Sequence, residues 1–240
     1  MLKSVFKCLV LSLLFLLFQH PGHSQVKTLA VAPFKLIGDF DAPEIYSHGL
    51  PEAIANDLSR MPEISVVERL QLSAVIREHQ LSQAGFISEQ SAPRIGEMLG
   101  AEIVVVGTVQ KIGNLVRVQS RAIEANSTEV IFSFKIEAKI RSIKDVFDLT
   151  DKIAKRMIMQ FGLKLSEKQL DDLKIAATPD ETAFKLFSSG LKYYDNSNFQ
   201  QGLDCFKKAA ELDSSFDLAQ QIRLRAEKAF EELEKEIIKK

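Results

Sequence analysis

Residues 102–139, EIVVVGTVQKIGNLVRVQSRAIEANSTEVIFSFKIEAK, decide the fold. Ile103 to Val109 is an apolar, β-branched run. Val116, Val118, Ser120, Ala122 and Glu124 then alternate with Arg117, Gln119, Arg121 and Ile123, and Ile131, Ser133, Lys135 and Glu137 with Phe132, Phe134, Ile136 and Ala138. Ile112-Gly113-Asn114 and Ala125-Asn126-Ser127-Thr128 separate the runs with residues that tolerate positive φ. The pattern predicts an antiparallel three-stranded meander. Its first strand is apolar on both faces, as a helix-covered central strand should be. Arg117, Arg121 and Lys135 predict that the next two are wet on one side.

Upstream of the meander, Val26 to Phe34 (VKTLAVAPF) reads as a short buried strand ended by Pro33, and 38–44 (GDFDAPE) as a solvated acidic loop. Leu50, Ile54 and Leu58 place an amphipathic helix over Ser47 to Arg60, with Pro51 in its first turn. Ile64 to Glu68 is a second strand, Leu70 to Gln80 a helix broken by Gly85. Ser88 is the expected N-cap of a helix that ends at Gly100 in a left-handed C-cap. Downstream, Ser142 to Phe161 is expected to be the longest helix. Ser166-Glu167-Lys168-Gln169 opens a short helix with a capping box, and 176–180 (AATPD) is the best domain boundary. The fold class is α/β: a mixed-sheet α/β sandwich over 25–165, a short helix and linker over 166–180, and a small all-α C-terminal domain over 181–240.

The N-terminus reads as a leader. Lys3 and Lys7 precede the apolar run Cys8 to Phe18, and Gly22 and Ser24 are small residues at the positions a signal peptidase reads, which predicts a signal peptide over 1–24. The run is short of the ~20 residues that span a bilayer, and cleavage leaves no transmembrane segment in the mature chain. Export implies an oxidising compartment, yet Cys205 is then the sole remaining cysteine, so apolar cores and not internal disulfides must stabilise the fold. Removing the leader moves the formal charge from −1 to −3, because it takes two lysines and no acid. That balance offers no attraction for nucleic acid.

VAPF, GLPEAIANDLSR, VVERLQLSAVIREHQ and the meander itself form a succession that resembles the CsgG-like and TolB-N-terminal-like (FlgO-like) domains of bacterial envelope proteins, over roughly Val26 to Phe161. Its strongest parts are Val67-Glu68-Arg69 and the block Gly100 to Val109. The resemblance implies a cell-envelope protein, in the periplasm or on the periplasmic face of the outer membrane. Ala183 to Phe216 resembles one tetratricopeptide (TPR) repeat: Leu186, Gly190, Tyr193, Gly202, Phe206, Ala209 and Glu211-Leu212-Asp213 fall at its landmarks. Asp217 to Lys240 supplies a capping helix. The repeat resemblance implies a partner-binding face at Phe184, Phe187, Leu191 and Tyr194. The alternative is that this face packs against the short helix near Leu170 and Leu173, or against a second copy.

No enzyme is indicated. His48 and His79 are the histidines of the mature chain, and no cysteine nucleophile or metal-spaced cluster accompanies them. Gly107 and Gly113 belong to a strand and a turn, not to a phosphate-binding helix start. Asp39, Asp41 and Glu44 are too few for a calcium site, and Glu68 and Arg69 read as a structural ion pair. No cofactor and no metal is expected. The leading reading is a non-enzymatic scaffold for assembly or secretion, acting through protein–protein contacts with other envelope proteins or with itself as a homo-oligomer. The alternatives are a subunit of a curli-type outer-membrane secretion channel and a periplasmic ligand-sensing module. Phe187→Asp and Tyr194→Asp are then expected to weaken association while the α/β domain still melts cooperatively.

Overall fold

The structure, a computed structural model, describes residues 27–78, 87–173 and 178–238. The expected leader, His79, the Gly85 break and much of the linker before Thr178 lie outside the described residues. Strands β1 (Lys27–Val31), β2 (Lys35–Ile37), β3 (Ile64–Val66), β4 (Ile103–Ile112), β5 (Leu115–Glu124) and β6 (Val130–Lys139) form one mixed sheet in the order β3-β1-β4-β5-β6. β1 is parallel to β3 and β4, while β4, β5 and β6 are the antiparallel meander. Gly113, at φ 57°, makes the first turn, and Thr128, at φ 63°, lies in the second.

Between the expected strand and the acidic loop at 38–44 lies a strand the sequence pattern does not announce, β2, which pairs in parallel with β4 just beyond β1. Three residues with Lys35 and Ile37 exposed carry too little periodicity to be read as a strand. The link between β1 and β2 has a physical cause in the next helix. A π-helical segment α1 (Ile45–Gly49) runs directly into α2 (Leu50–Leu58), so Pro51 lies within a continuous helical stretch. Having no N–H, it cannot bond the Ser47 carbonyl one turn back. The Phe34 amide donates to that carbonyl at 2.8 Å, tying the β1–β2 corner to the helix.

Helices α2 and α5 (Ile143–Gln160) cover one face of the sheet, over Leu29, Val31, Val105, Val116, Val118 and Phe132. Helices α3 (Arg69–Glu78) and α4 (Ala92–Leu99) cover part of the other, over Val104, Val106 and Ile123. This two-sided cover is what right-handed crossovers on either side of β1 produce. Ser91, not Ser88, holds the N-cap position of α4. The two serines bond each other's backbone amides in the turn before it, at 3.0 and 3.2 Å. Gly100 ends α4 in the left-handed conformation, at φ 62°. The capping box of α6 (Glu167–Leu173) forms as read, with Ser166 N–H donating to Gln169 Oε1 at 2.9 Å and Gln169 N–H to Ser166 Oγ at 3.3 Å. Three helices follow: α7 (Glu181–Asp195), α8 (Phe199–Leu212) and α9 (Asp217–Ile238). At 22 residues α9 exceeds the 18 of α5, which corrects the expected longest helix.

The seam between α2 and α5 contains a carboxylate where apolar packing prevails. Asp57 is buried, with the Arg60 Nε 3.9 Å away. Burial, and then the charge of Asp151 on α5, pushes the Asp57 carboxyl up to about 7; Asp151 itself is raised to about 6, chiefly by burial. Both folded values lie above the unfolded one, so the folded state binds the extra protons and stability falls as pH climbs from about 4 to about 7. Asp57→Asn is expected to raise the Tm at neutral pH and to flatten this dependence. Thermal melts across that range check it, and a slope identical to that of the parent contradicts it.

Candidate interaction surface

The sequence placed a binding face at Phe184, Phe187, Leu191 and Tyr194. In the structure the first three are at most 1% exposed and Tyr194 is 6% exposed. Phe184 meets the Phe147 ring of α5 edge-on at a centroid distance of 4.8 Å, and Phe187 meets Phe216 at 5.1 Å. Tyr194 meets Phe199 edge-on, and the Arg77 guanidinium lies over both rings. The α1 backbone approaches so closely that a Cβ on Gly49 would stand 2.1 Å from Ser188 Oγ. Phe184 and Tyr194 therefore lie in a seam between α7 and the α/β layers and Phe187 in the aromatic cluster with Phe206 and Phe216 behind it, and all four side chains are buried. The cover comes from α1 and α5 of the same chain, with Leu173 of α6 in the same apolar cluster. One helix pair leaves its apolar faces uncovered, and here the sheet domain supplies the cover.

A buried polar lock closes the end of this seam. Asp195, 4% exposed, accepts from Arg69 Nη2 at 2.6 Å and from Ser73 Oγ at 2.5 Å, with His48 Nε2 at 3.5 Å. Burial works to raise the Asp195 carboxyl, but the Arg69 guanidinium and the His48 and Ser73 contacts hold it well below the usual carboxylate range. Arg69 Nε also faces Glu52 Oε2 at 3.6 Å, and burial pushes the Glu52 carboxyl up to about 7 against that attraction. The expected pair between Glu68 and Arg69 is replaced by two longer links to the tail: Arg69 turns to Asp195, and Glu68 bonds Arg225 of α9. Asp41 pairs with Lys111 at 3.0 Å and Glu44 with Lys192 at 2.9 Å, so two carboxylates of the acidic loop are ion-pair partners. Sequence reading passed over Asp195. The available signal was an acid at the C-terminal end of a helix, where the dipole disfavours it unless a cation answers.

Among the described residues, the surface left open is the far half of the sheet's second face. α3 and α4 stop short of it, leaving Thr108 and Gln110 of β4, Arg117, Gln119 and Arg121 of β5, and Ser133, Lys135 and Glu137 of β6 in adjacent strands. Arg117 pairs with Glu137 across the strands at 2.7 Å, and Arg121 with Glu89. A hollow of about 200 Å³ lies at the α4 side and one of about 410 Å³ over Gln110, Gln119, Ser133 and Lys135. Among the described residues there is no grouping of His, Cys, Asp and Glu that could hold a metal ion, and no helix long and apolar enough to cross a membrane. Among the described residues β6 ends the sheet and pairs only with β5.

Residues 30–121 match the family model described as the curli production assembly/transport component CsgG. The matched stretch runs from β1 to Arg121 of β5. No curated protein matches the chain. Among solved structures, the LpoB C-terminal domain from Salmonella enterica is similar at 22% identity, over 52% of this chain and 90% of that one, with a TM-score of 0.40. Lipoprotein GNA1162 from Neisseria meningitidis is similar at 17% identity, over 58% and 99%, with a TM-score of 0.38. The PelC dodecamer from Paraburkholderia phytofirmans, in its P6 form, is similar at 13% identity, over 59% and 91%, with a TM-score of 0.38.

Proposed function

We propose that the protein is an exported, non-enzymatic scaffold of the bacterial envelope that supports assembly or secretion through protein–protein contacts, self-association among them. The observation that carries this reading is the long free edge of β6 beside an uncovered polar sheet face, in a domain of which 92 residues match a curli assembly/transport model. A strand of ten residues whose outer edge has no partner among the described residues is a template for another chain. In this reading residues 25–165 are the contact-making domain. Residues 181–240 are a TPR-like helix pair with a capping helix, joined through 166–180. The Gly190–Gly202 approach suits such a pair, since a Cβ on Gly190 would meet the Phe206 ring at 2.6 Å and the Gly202 carbonyl oxygen at 3.1 Å. The tail works as a buttress: its aromatic face stabilises the sheet domain from within.

Light scattering after size exclusion on the purified protein tests the self-association. A mass of two or more chains that falls on dilution is expected. A single-chain mass at every concentration would rule out assembly of the protein with itself.

A further inference from the structure

Self-association, if it follows the scaffold reading above, has a definite geometry available in β6. Ile140 N–H donates to Asn114 O at 2.8 Å, continuing the register in which Ala138 faces Val116 and Ile136 faces Val118. Even-numbered residues of β6 from Phe132 onward therefore turn their backbone groups toward β5. The N–H and C=O groups of Ser133, Lys135, Glu137 and Lys139 point off the sheet. Two further features show that this edge is incomplete. Phe134, Ile136 and Ala138 point to the apolar face yet remain half-buried, whereas Val116, Val118 and Ala122 beside them on β5 are fully buried. Lys135 is exposed, and its opposite neighbour Gln119 offers no charge.

We infer that β6 pairs antiparallel with β6 of a second copy about a two-fold axis through Ile136. Outward-facing residues must oppose outward-facing residues, and this register sets Lys135 against Glu137 of the second copy and Glu137 against its Lys135. Ser133 meets Lys139. Two symmetric cross-strand ion pairs form, each extended by the Arg117–Glu137 pair already present in the chain. On the apolar face Ile136 meets its own copy and Phe134 meets Ala138, in non-hydrogen-bonded pairs whose side chains approach most closely. Shifting by one pair either way would set Lys135 or Glu137 against itself, with like charges directly opposed. Charges on an edge strand ordinarily blunt pairing; the Lys-x-Glu order here makes them self-complementary. The irregularity near Ala122 and Ile123 confines the match to residues after Phe132.

The test uses Lys135→Glu and Glu137→Lys, with dimer mass followed by light scattering and folding by circular dichroism. Each variant alone is expected to weaken dimerisation about tenfold or more, because both cross-strand pairs become repulsive. An equimolar mixture of the two is expected to restore it as a heterodimer, since every pair is again of opposite sign. In a Cys205→Ser background, Ile136→Cys is expected to give a disulfide-linked dimer on mild oxidation, whereas Lys135→Cys and Glu137→Cys remain single chains until mixed. A parent protein that dimerises while the charge variants match it, or fail to complement, overturns this interface and leaves the scaffold reading standing. A monomeric parent overturns this interface together with the self-association part of the scaffold reading, and leaves its contacts with other envelope proteins standing.

Discussion

Replacing Asp195 with alanine is expected to lower the unfolding free energy by about 3–5 kcal/mol, the usual cost of removing one partner from a buried ion pair. Asp195 answers Arg69, itself 6% exposed, and also receives the Ser73 hydroxyl and the His48 ring. Without it the guanidinium keeps one carboxylate neighbour, Glu52, at 3.6 Å, and burial already disfavours the ionised form of that group. Arg69 Nη1 has no hydrogen-bond partner among the described residues even in the parent. The lock joins α1, α3 and α7, so the loss loosens the tail and the sheet domain together. Urea unfolding measures it: a lower midpoint with an unchanged slope is expected. A change under about 1 kcal/mol would mean that water reaches the seam and that Asp195 does not hold it.

Phe184→Ala is expected to cost about 3–5 kcal/mol as well, from lost transfer energy and the cavity left behind. Phe184 is fully buried and touches Phe147 of α5, Phe187 of α7 and Phe216, the residue before α9. If the tail were an independent unit, the substitution would melt it alone and leave a separate transition for the sheet domain. The continuous core instead predicts one transition at a lower temperature, visible by calorimetry. The same reasoning revises the expected effect of Phe187→Asp. A carboxylate at a fully buried position between Phe206 and Phe216 unfolds the protein and reports nothing about a binding face.

The meander was legible because its strands are long and alternate: Arg117, Arg121 and Lys135 do lie on the open face, and Val116, Val118 and Phe132 in the core. Gly100 and Ser166 were legible because their caps are made by local chemistry. β2 was not, being three residues whose pairing depends on a corner fixed by the Ser47 carbonyl. The seam was misjudged for a related reason. Helical spacing identified Phe184, Phe187, Leu191 and Tyr194 as one apolar stripe, but spacing carries no information about what covers a stripe. Its cover lies more than a hundred residues away in the case of Gly49, and the charged residues that close it, Arg69 and Asp195, are separated by a similar length of chain. Such pairs leave no local signature. The β6 edge was written in the sequence as an alternation, yet its position at the end of the sheet follows from topology.

Hydrogen exchange measured across a range of protein concentrations tests the central claim most directly, because it reads the sheet edge and the seam in one experiment. Rising protection at Ser133, Lys135, Glu137 and Lys139 with concentration, against constant protection over residues 184–194, is the predicted result. Concentration-dependent protection at 184–194 with none in β6 would contradict it, and would return the aromatic stripe of α7 to the role of a contact between chains.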